Sequence, residues 1–330
     1  MTPVLHRLRL NQRSEWLIIE VAEDGFTGYG ECSDACDAGT AAALLRRVPG
    51  PDEAWQWAMA AGGDLASRTV ASGLIAAWED LTARRAGLPL ARWLGGTEAD
   101  VPAYANINRG TTERTPDGFA VKAKAAVAAG YTAVKLAPFD GLDGRHRAEE
   151  GLARVEAVRT AVGPDTGVMV DVHQVLRRDE LLRIAPKLRA LELAWLEDVA
   201  PIDAIDDLLA IKRAAECSLA GGELIADLAE ARPAVVAGAL DVVLPDVKHA
   251  GGARRTLELT RRLYDLGAAV SLHNPTGPVA TATSTHVLSA LGAGTLEVMF
   301  GESGDRRGSV VSEPCGIGLA PSAVWERVGS

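Results

Sequence analysis

Cysteine is scarce in this sequence. Its four residues, Cys32, Cys36, Cys217 and Cys315, are scattered over 330 positions. Cys32 and Cys36 lie close together, but no second pair and no neighbouring histidine completes a zinc-type set. That argues against a disulfide framework, and buried or idle thiols in a reducing compartment are expected. Basic charge is also short: 34 Lys and Arg stand against 44 Asp and Glu, a net charge of −10. Phosphate backbones need the opposite balance, so nucleic acid is excluded as an expected partner. Long apolar runs are missing, none approaching the roughly 20 residues of a membrane span. The first residues, MTPVLHRLRLNQRSEW, carry no apolar signal core, and a cytoplasmic location is the expectation. Low-complexity tracts are missing as well.

What is present is a globular composition, 48% hydrophobic and 24% charged, with length enough for a large barrel and a smaller domain. LIIEVAED and FTGYGEC alternate in hydrophobicity on either side of Asp24-Gly25, a turn signal, and predict an antiparallel hairpin. TVASGLIAAWEDLTARRAG has helical periodicity with Gly87 as its stop. After VPAYANI the texture changes, and apolar strands of about five residues alternate with amphipathic helices. The strand candidates are PAYANI, AVKLA, GVMVDV, LAWLED, SLAGGE, DVVLPD, AVSLHN and LEVMF. They predict an α/β fold, a (β/α)8-like barrel whose last unit is weak. The segment after LEVMF reads as loop that returns to the first domain.

Within that pattern three acids stand at equal steps of 26 residues: Asp171 in GVMVDVH, Glu197 in LAWLEDV and Glu223 in SLAGGEL. Such a step suits successive strand-helix units of a parallel barrel, whose active sites lie at the C-terminal ends of the strands. One carboxylate at each of three neighbouring strand ends would converge, and hard oxygen donors suit a divalent ion such as Mg²⁺. Other strand ends carry Lys135, His173, Asp198, Asp246 with Lys248, His273 with Asn274, and Glu297. Clustered carboxylates without a cation would raise one another's pKa.

Three stretches resemble the enolase superfamily in its mandelate racemase-like subgroup. TVASGLIAAWEDLTARRAGLPLARWLGG is similar to the helix and turn that close the family's capping domain. The Asp171, Glu197, Glu223 series is similar to its metal triad. PDVKHAGG followed by SLHNPTGPVATA resembles its Asp-His dyad. The resemblance implies a modified (β/α)8 TIM barrel with an N-terminal α+β capping domain: residues 1–98 as cap, 99–307 as barrel, and 308–330 returning to the cap. It also implies one Mg²⁺ per site, with Mn²⁺ as a substitute, a small carboxylate substrate, and assembly as a homo-oligomer.

The family's common step is abstraction of the proton alpha to a carboxylate. His273 is the implied base, with Asp246 fixing its tautomer. The subgroup's Lys-x-Lys is broken here: in VKLAPFD Lys135 remains and Ala137 takes the second place, which counts against a two-base racemase. Lys135 is left to hold a substrate carboxylate or to sit in a charged mouth. Residues two apart on a strand share a face, so His173 in Asp171-Val172-His173 should point to the metal side. A similar Asp-x-His occurs in acid-sugar dehydratases, where the histidine protonates the departing 3-hydroxyl. Glu297 would hydrogen-bond the substrate carboxylate as the enediolate forms. Specificity is expected from Leu10–Trp16 and Ser33–Ala38, with Asn106, Asn108 and Arg109 as polar candidates. The expected function is dehydration of an acid sugar to a 2-keto-3-deoxy acid; the alternative is an epimerase or cycloisomerase on the same scaffold. A metal-dependent barrel hydrolase is disfavoured because PAYANINRG lacks a His-x-His.

Overall fold

Asp24 and Gly25 both take positive φ, 51° and 81°, and turn the chain back in two residues. The strands they join are β2 (Glu15–Glu23) and β3 (Phe26–Glu31), paired antiparallel from Glu23 opposite Phe26. With β1 (Val4–Arg9) and β12 (Glu326–Arg327) they form a four-stranded sheet in the order β12-β1-β2-β3. The computed structural model describes residues 2–9, 15–301, 316–317 and 326–328. Residues 10–14 of the expected specificity loop, Cys315 and most of 308–330 lie outside the described residues.

β2 is apolar on both faces because it is covered on both. Leu17, Ile19 and Val21 join Leu74, Ala77 and Leu81 in one core, while Ile18 belongs to the core of the barrel. The helix supplying Leu74 and Leu81 is α3 (Leu65–Arg85), opened by the Asp64 carboxylate accepting from Ser67 N and closed by Gly87 in the left-handed conformation. Each buried leucine contributes roughly 1.5–3 kcal/mol. β3 lies so close to α3 that a Cβ at Gly30 would stand 1.9 Å from Gly73 O, so a side chain there would push the sheet away. Helices α1 (Ala38–Leu45), α2 (Pro51–Ala60) and α4 (Leu90–Trp93) complete this part.

All eight expected barrel strands form. They are β4 (Ala103–Asn106), β5 (Ala133–Leu136), β6 (Gly167–Asp171), β7 (Trp195–Glu197), β8 (Leu219–Gly221), β9 (Val242–Val243), β10 (Ala269–Leu272) and β11 (Thr295–Met299). The sheet is parallel and closed, with β11 pairing β4 from Leu296 opposite Ala103 to Met299 opposite Asn106. The last unit, weak as a pattern, is therefore firmly paired. Between the strands run α5 (Pro116–Ala128), α6 (Arg147–Val162), α7 (Arg178–Arg189), α8 (Ile205–Ala215), α9 (Leu228–Val236), α10 (Gly252–Asp265) and α11 (Pro278–Leu291).

The barrel interior is layered. Tyr104, Met169, Trp195, Ala220, Val242 and Leu244 pack together, with the Tyr104 and Trp195 rings edge-to-face at 5.4 Å. Two residues beyond Tyr104, Met169, Trp195 and Leu244 come Asn106, Asp171, Glu197 and, past the end of β9, Asp246. An apolar floor thus underlies a polar mouth, as strand alternation requires. No helix among the described residues is long and apolar enough to cross a membrane.

Candidate active site

Asp171 and Glu197 are directly opposite in the β6–β7 ladder, and Glu223 follows β8 by two residues. The three acids therefore line one arc of the barrel mouth. Their side chains do not meet at one point as the sequence pattern suggests. Among the described residues no three His, Cys, Asp or Glu side chains are grouped closely enough to hold a metal ion. The reason is that each carboxylate is drawn onto a basic neighbour. Glu197 Oε1 accepts from Lys135 Nζ at 2.7 Å, Asp171 Oδ2 lies 2.8 Å from His173 Nε2, and Glu223 Oε2 lies 2.9 Å from His273 Nε2. The donor set itself, three carboxylates on neighbouring strands, fits a hard divalent cation. Crowding of negative charge points the same way: burial, then Glu223 and Asp171, push the Asp198 carboxyl up to about 7.

His273 stands between two acids. Its Nδ1 is 2.9 Å from Asp246 Oδ2 and its Nε2 faces Glu223. Burial pulls the imidazole down, but Glu223 and Asp246 outweigh it and hold it well above the usual histidine value. Glu223 is correspondingly held down at about 2, first by His273. Asp246 is fully buried, yet Lys248 and the histidines His249 and His273 keep it ionised against the effect of burial.

His173 reaches the site by a different route from the one expected. β6 ends at Asp171, and both His173 and Gln174 take left-handed backbone, φ 46° and 52°. Strand alternation therefore does not aim the side chain; the turn does. His173 N donates to Asp171 Oδ1 at 3.0 Å, which tightens that turn. The ring ends between Asp171 and Asp140, with Nδ1 2.9 Å from Asp140 Oδ1. Burial lowers its pKa, but the two carboxylates override this and push it up to about 11. Asp140 carries no signal in the sequence, since it lies on the irregular loop after β5.

Lys135 sits inside the ring of acids at the strand ends, not in an open mouth. It is 2% exposed, bonded to Glu197 at 2.7 Å and Glu297 at 2.8 Å, with Asp171 at 3.8 Å. Burial opposes its charge, but those acids hold the ammonium well above the ordinary lysine value. Glu297 shares this cluster. It is wholly enclosed, accepting from Asn106 Nδ2 at 2.6 Å, Asn274 N at 3.0 Å and Lys135. These bonds tie it to Lys135 and to the turn after β10.

The polar candidates after β4 are mostly spent on structure. Asn106 bonds Glu297 and Asn108 N, and Asn108 bonds Asp140 and Arg114. Arg109 lies 3.6 Å from Asp34, which brings the loop Ser33–Ala38 to the barrel mouth. Beside the site a cavity of about 540 Å³ opens among the loops after β6, β7 and β8, lined by His173, Gln174, Asp198, Asp203 and Glu223.

Residues 118–316 match the family described as Enolase C-terminal domain-like. The chain belongs to that family. A D-gluconate dehydratase of Thermoproteus tenax is 31% identical over 81% of this chain, which spans 57% of that protein's length. An arabinonate dehydratase of Saccharolobus solfataricus is 25% identical, covering 93% of this chain and 84% of the relative. Among solved structures, a mandelate racemase/muconate lactonizing enzyme from Bordetella bronchiseptica RB50 superposes with a TM-score of 0.81 at 26% identity, covering 97% of this chain and 96% of the other.

Proposed function

We propose that this protein is a divalent-metal-dependent acid-sugar dehydratase, a hydro-lyase that turns a sugar acid into its 2-keto-3-deoxy product. One observation carries the reading. Two imidazoles flank a single set of carboxylates, each oriented at Nδ1 by its own aspartate and each presenting Nε2 to that set. Dehydration needs one such group to take a proton and another to give one. The names of relatives that act on gluconate and arabinonate support the substrate class.

Asp171, Glu197 and Glu223 would hold Mg²⁺, or Mn²⁺ in its place, and the cation would neutralise charge growing on the substrate carboxylate. His273 receives the C2 proton at Nε2, because Nδ1 is committed to Asp246. The ionised aspartate fixes the tautomer and stabilises the imidazolium. Were Glu223 to hold the cation, the ring would keep Asp246 as its one carboxylate partner. His173 donates its proton to the departing 3-hydroxyl; the C3–O bond breaks, water leaves, and the enol tautomerises to the ketone. Lys135, protonated and enclosed, holds the charge of Glu197 and Glu297 and is not a second base. The epimerase reading loses its lysine for that reason.

Incubation with Mg²⁺ and a panel of sugar acids, assayed for 2-keto-3-deoxy products, tests the reading. Deuterium entering C2 from solvent without loss of water would replace it with an epimerase.

A further inference from the structure

Lys248 takes no part in the chemistry just described, yet it is 1% exposed beside the dyad. Its Nζ donates to Asp246 Oδ2 at 2.6 Å, the oxygen that also meets His273 Nδ1 at 2.9 Å. Its backbone N donates to the other oxygen, Oδ1, at 2.8 Å. One residue therefore grips both oxygens of the carboxylate, and rotation about the broad χ2 torsion of the aspartate is blocked. Lys248 is itself anchored. Its Nζ lies 4.0 Å from Asp34 Oδ2, in the loop that comes down from the first sheet. The turn that carries it is tied to α3, where the Thr69 hydroxyl lies 2.8 Å from His249 Nδ1 and Ser72 Oγ accepts from Gly251 N at 2.9 Å.

We propose that Lys248 is a positioning residue for the His273–Asp246 pair: it locks the carboxylate that orients the imidazole and ties that carboxylate to the Ser33–Ala38 loop through Asp34. The inference rests on the reading of His273 as the base. A lysine suits the place because its compact ammonium donates to Asp246 at 2.6 Å while standing within ion-pair range, 4.0 Å, of Asp34.

The decisive measurement is low-field proton NMR. A His273 Nδ1–H held by Asp246 gives a slowly exchanging low-field resonance, identified by its loss in His273→Asn. In Lys248→Met that resonance is expected to broaden into exchange with water, and Lys248→Arg, which keeps the charge, is expected to restore it. Exchange of the C2 proton of the accepted sugar acid should fall in kcat on the order of 10-fold in Lys248→Met, with KM changed by no more than about twofold, the scale of losing an outer partner of a positioned group. Lys248→Gln serves as the second variant if the methionine protein does not fold. A resonance unchanged in a folded Met or Gln variant overturns the proposal, as does its absence from the wild-type protein. Persistence of C2 exchange in His273→Asn would instead overturn the assignment of the base and leave the clamp on Asp246 to be judged by NMR alone.

Discussion

His273 and His173 are chemically alike and differ in what surrounds them. His273 is held in a buried pair with Asp246, whereas the His173 side chain is 39% exposed and bridges Asp140 and Asp171. The division of labour can be checked directly. His273→Asn is expected to abolish C2 proton exchange, a loss of at least about 10²-fold for a general base, measured by deuterium incorporation. His173→Asn is expected to block water loss while C2 exchange continues; full dehydratase activity in that variant would remove His173 from the mechanism. Lys135→Met leaves Glu197 and Glu297 buried without their cation, and a stability loss of about 3–5 kcal/mol is expected from urea denaturation. At this scale the sequence was legible where strand position dictates direction, as for Asp171 and Glu197. It was not legible for Asp140 and Lys248, whose partners are chosen by loops, nor for the route of His173.

Among elements, two helix N-termini of the barrel are capped by acids from the smaller unit. Glu31, at the end of β3, accepts from Gly277 N at 2.8 Å and Ala280 N at 2.9 Å at the start of α11, and also bonds Thr276 and Ser33. Glu79 of α3 accepts from Ala253 N at 2.6 Å and Arg254 N at 3.0 Å at the start of α10. A carboxylate at such a terminus meets free N–H groups and the positive end of the helix dipole. Glu31→Gln keeps an acceptor but loses the charge, and a drop of about 1–2 kcal/mol is expected in denaturant unfolding. Burial pushes Glu79 up from 4.5 to about 7 against those backbone donors. Because the folded value is the higher one, its contribution to stability is fully present below about pH 4.5 and is lost as the pH rises through about 7. The melting temperature of the wild-type protein should therefore fall relative to Glu79→Gln between these two values; parallel profiles would show that folding does not raise the Glu79 pKa.

For the whole molecule, the antiparallel sheet, α3 and the barrel share cores and caps. α3 is buried on most of its sides because one side packs the sheet through Leu74 and Leu81 while Thr69, Ser72 and Glu79 meet the turn before α10. A cation bound only by the folded arrangement stabilises it by mass action, about 2.7 kcal/mol at a hundred times its Kd. Mg²⁺ is therefore expected to raise the melting temperature of chelator-treated protein, and Asp171→Asn to abolish that rise. An equal rise in the variant would show that the ion binds elsewhere.

The sequence alone determined the eight-strand alternation, the Asp24-Gly25 turn and the acids at equal steps. Those follow from local periodicity and turn chemistry, which are written residue by residue. Only the tertiary structure decided which charges neutralise which. Lys135 and Glu297 went inward and His173 went between two aspartates. Lys248 fell onto the same carboxylate oxygen as His273, because burial of a charge is tolerated only where packing supplies its partner.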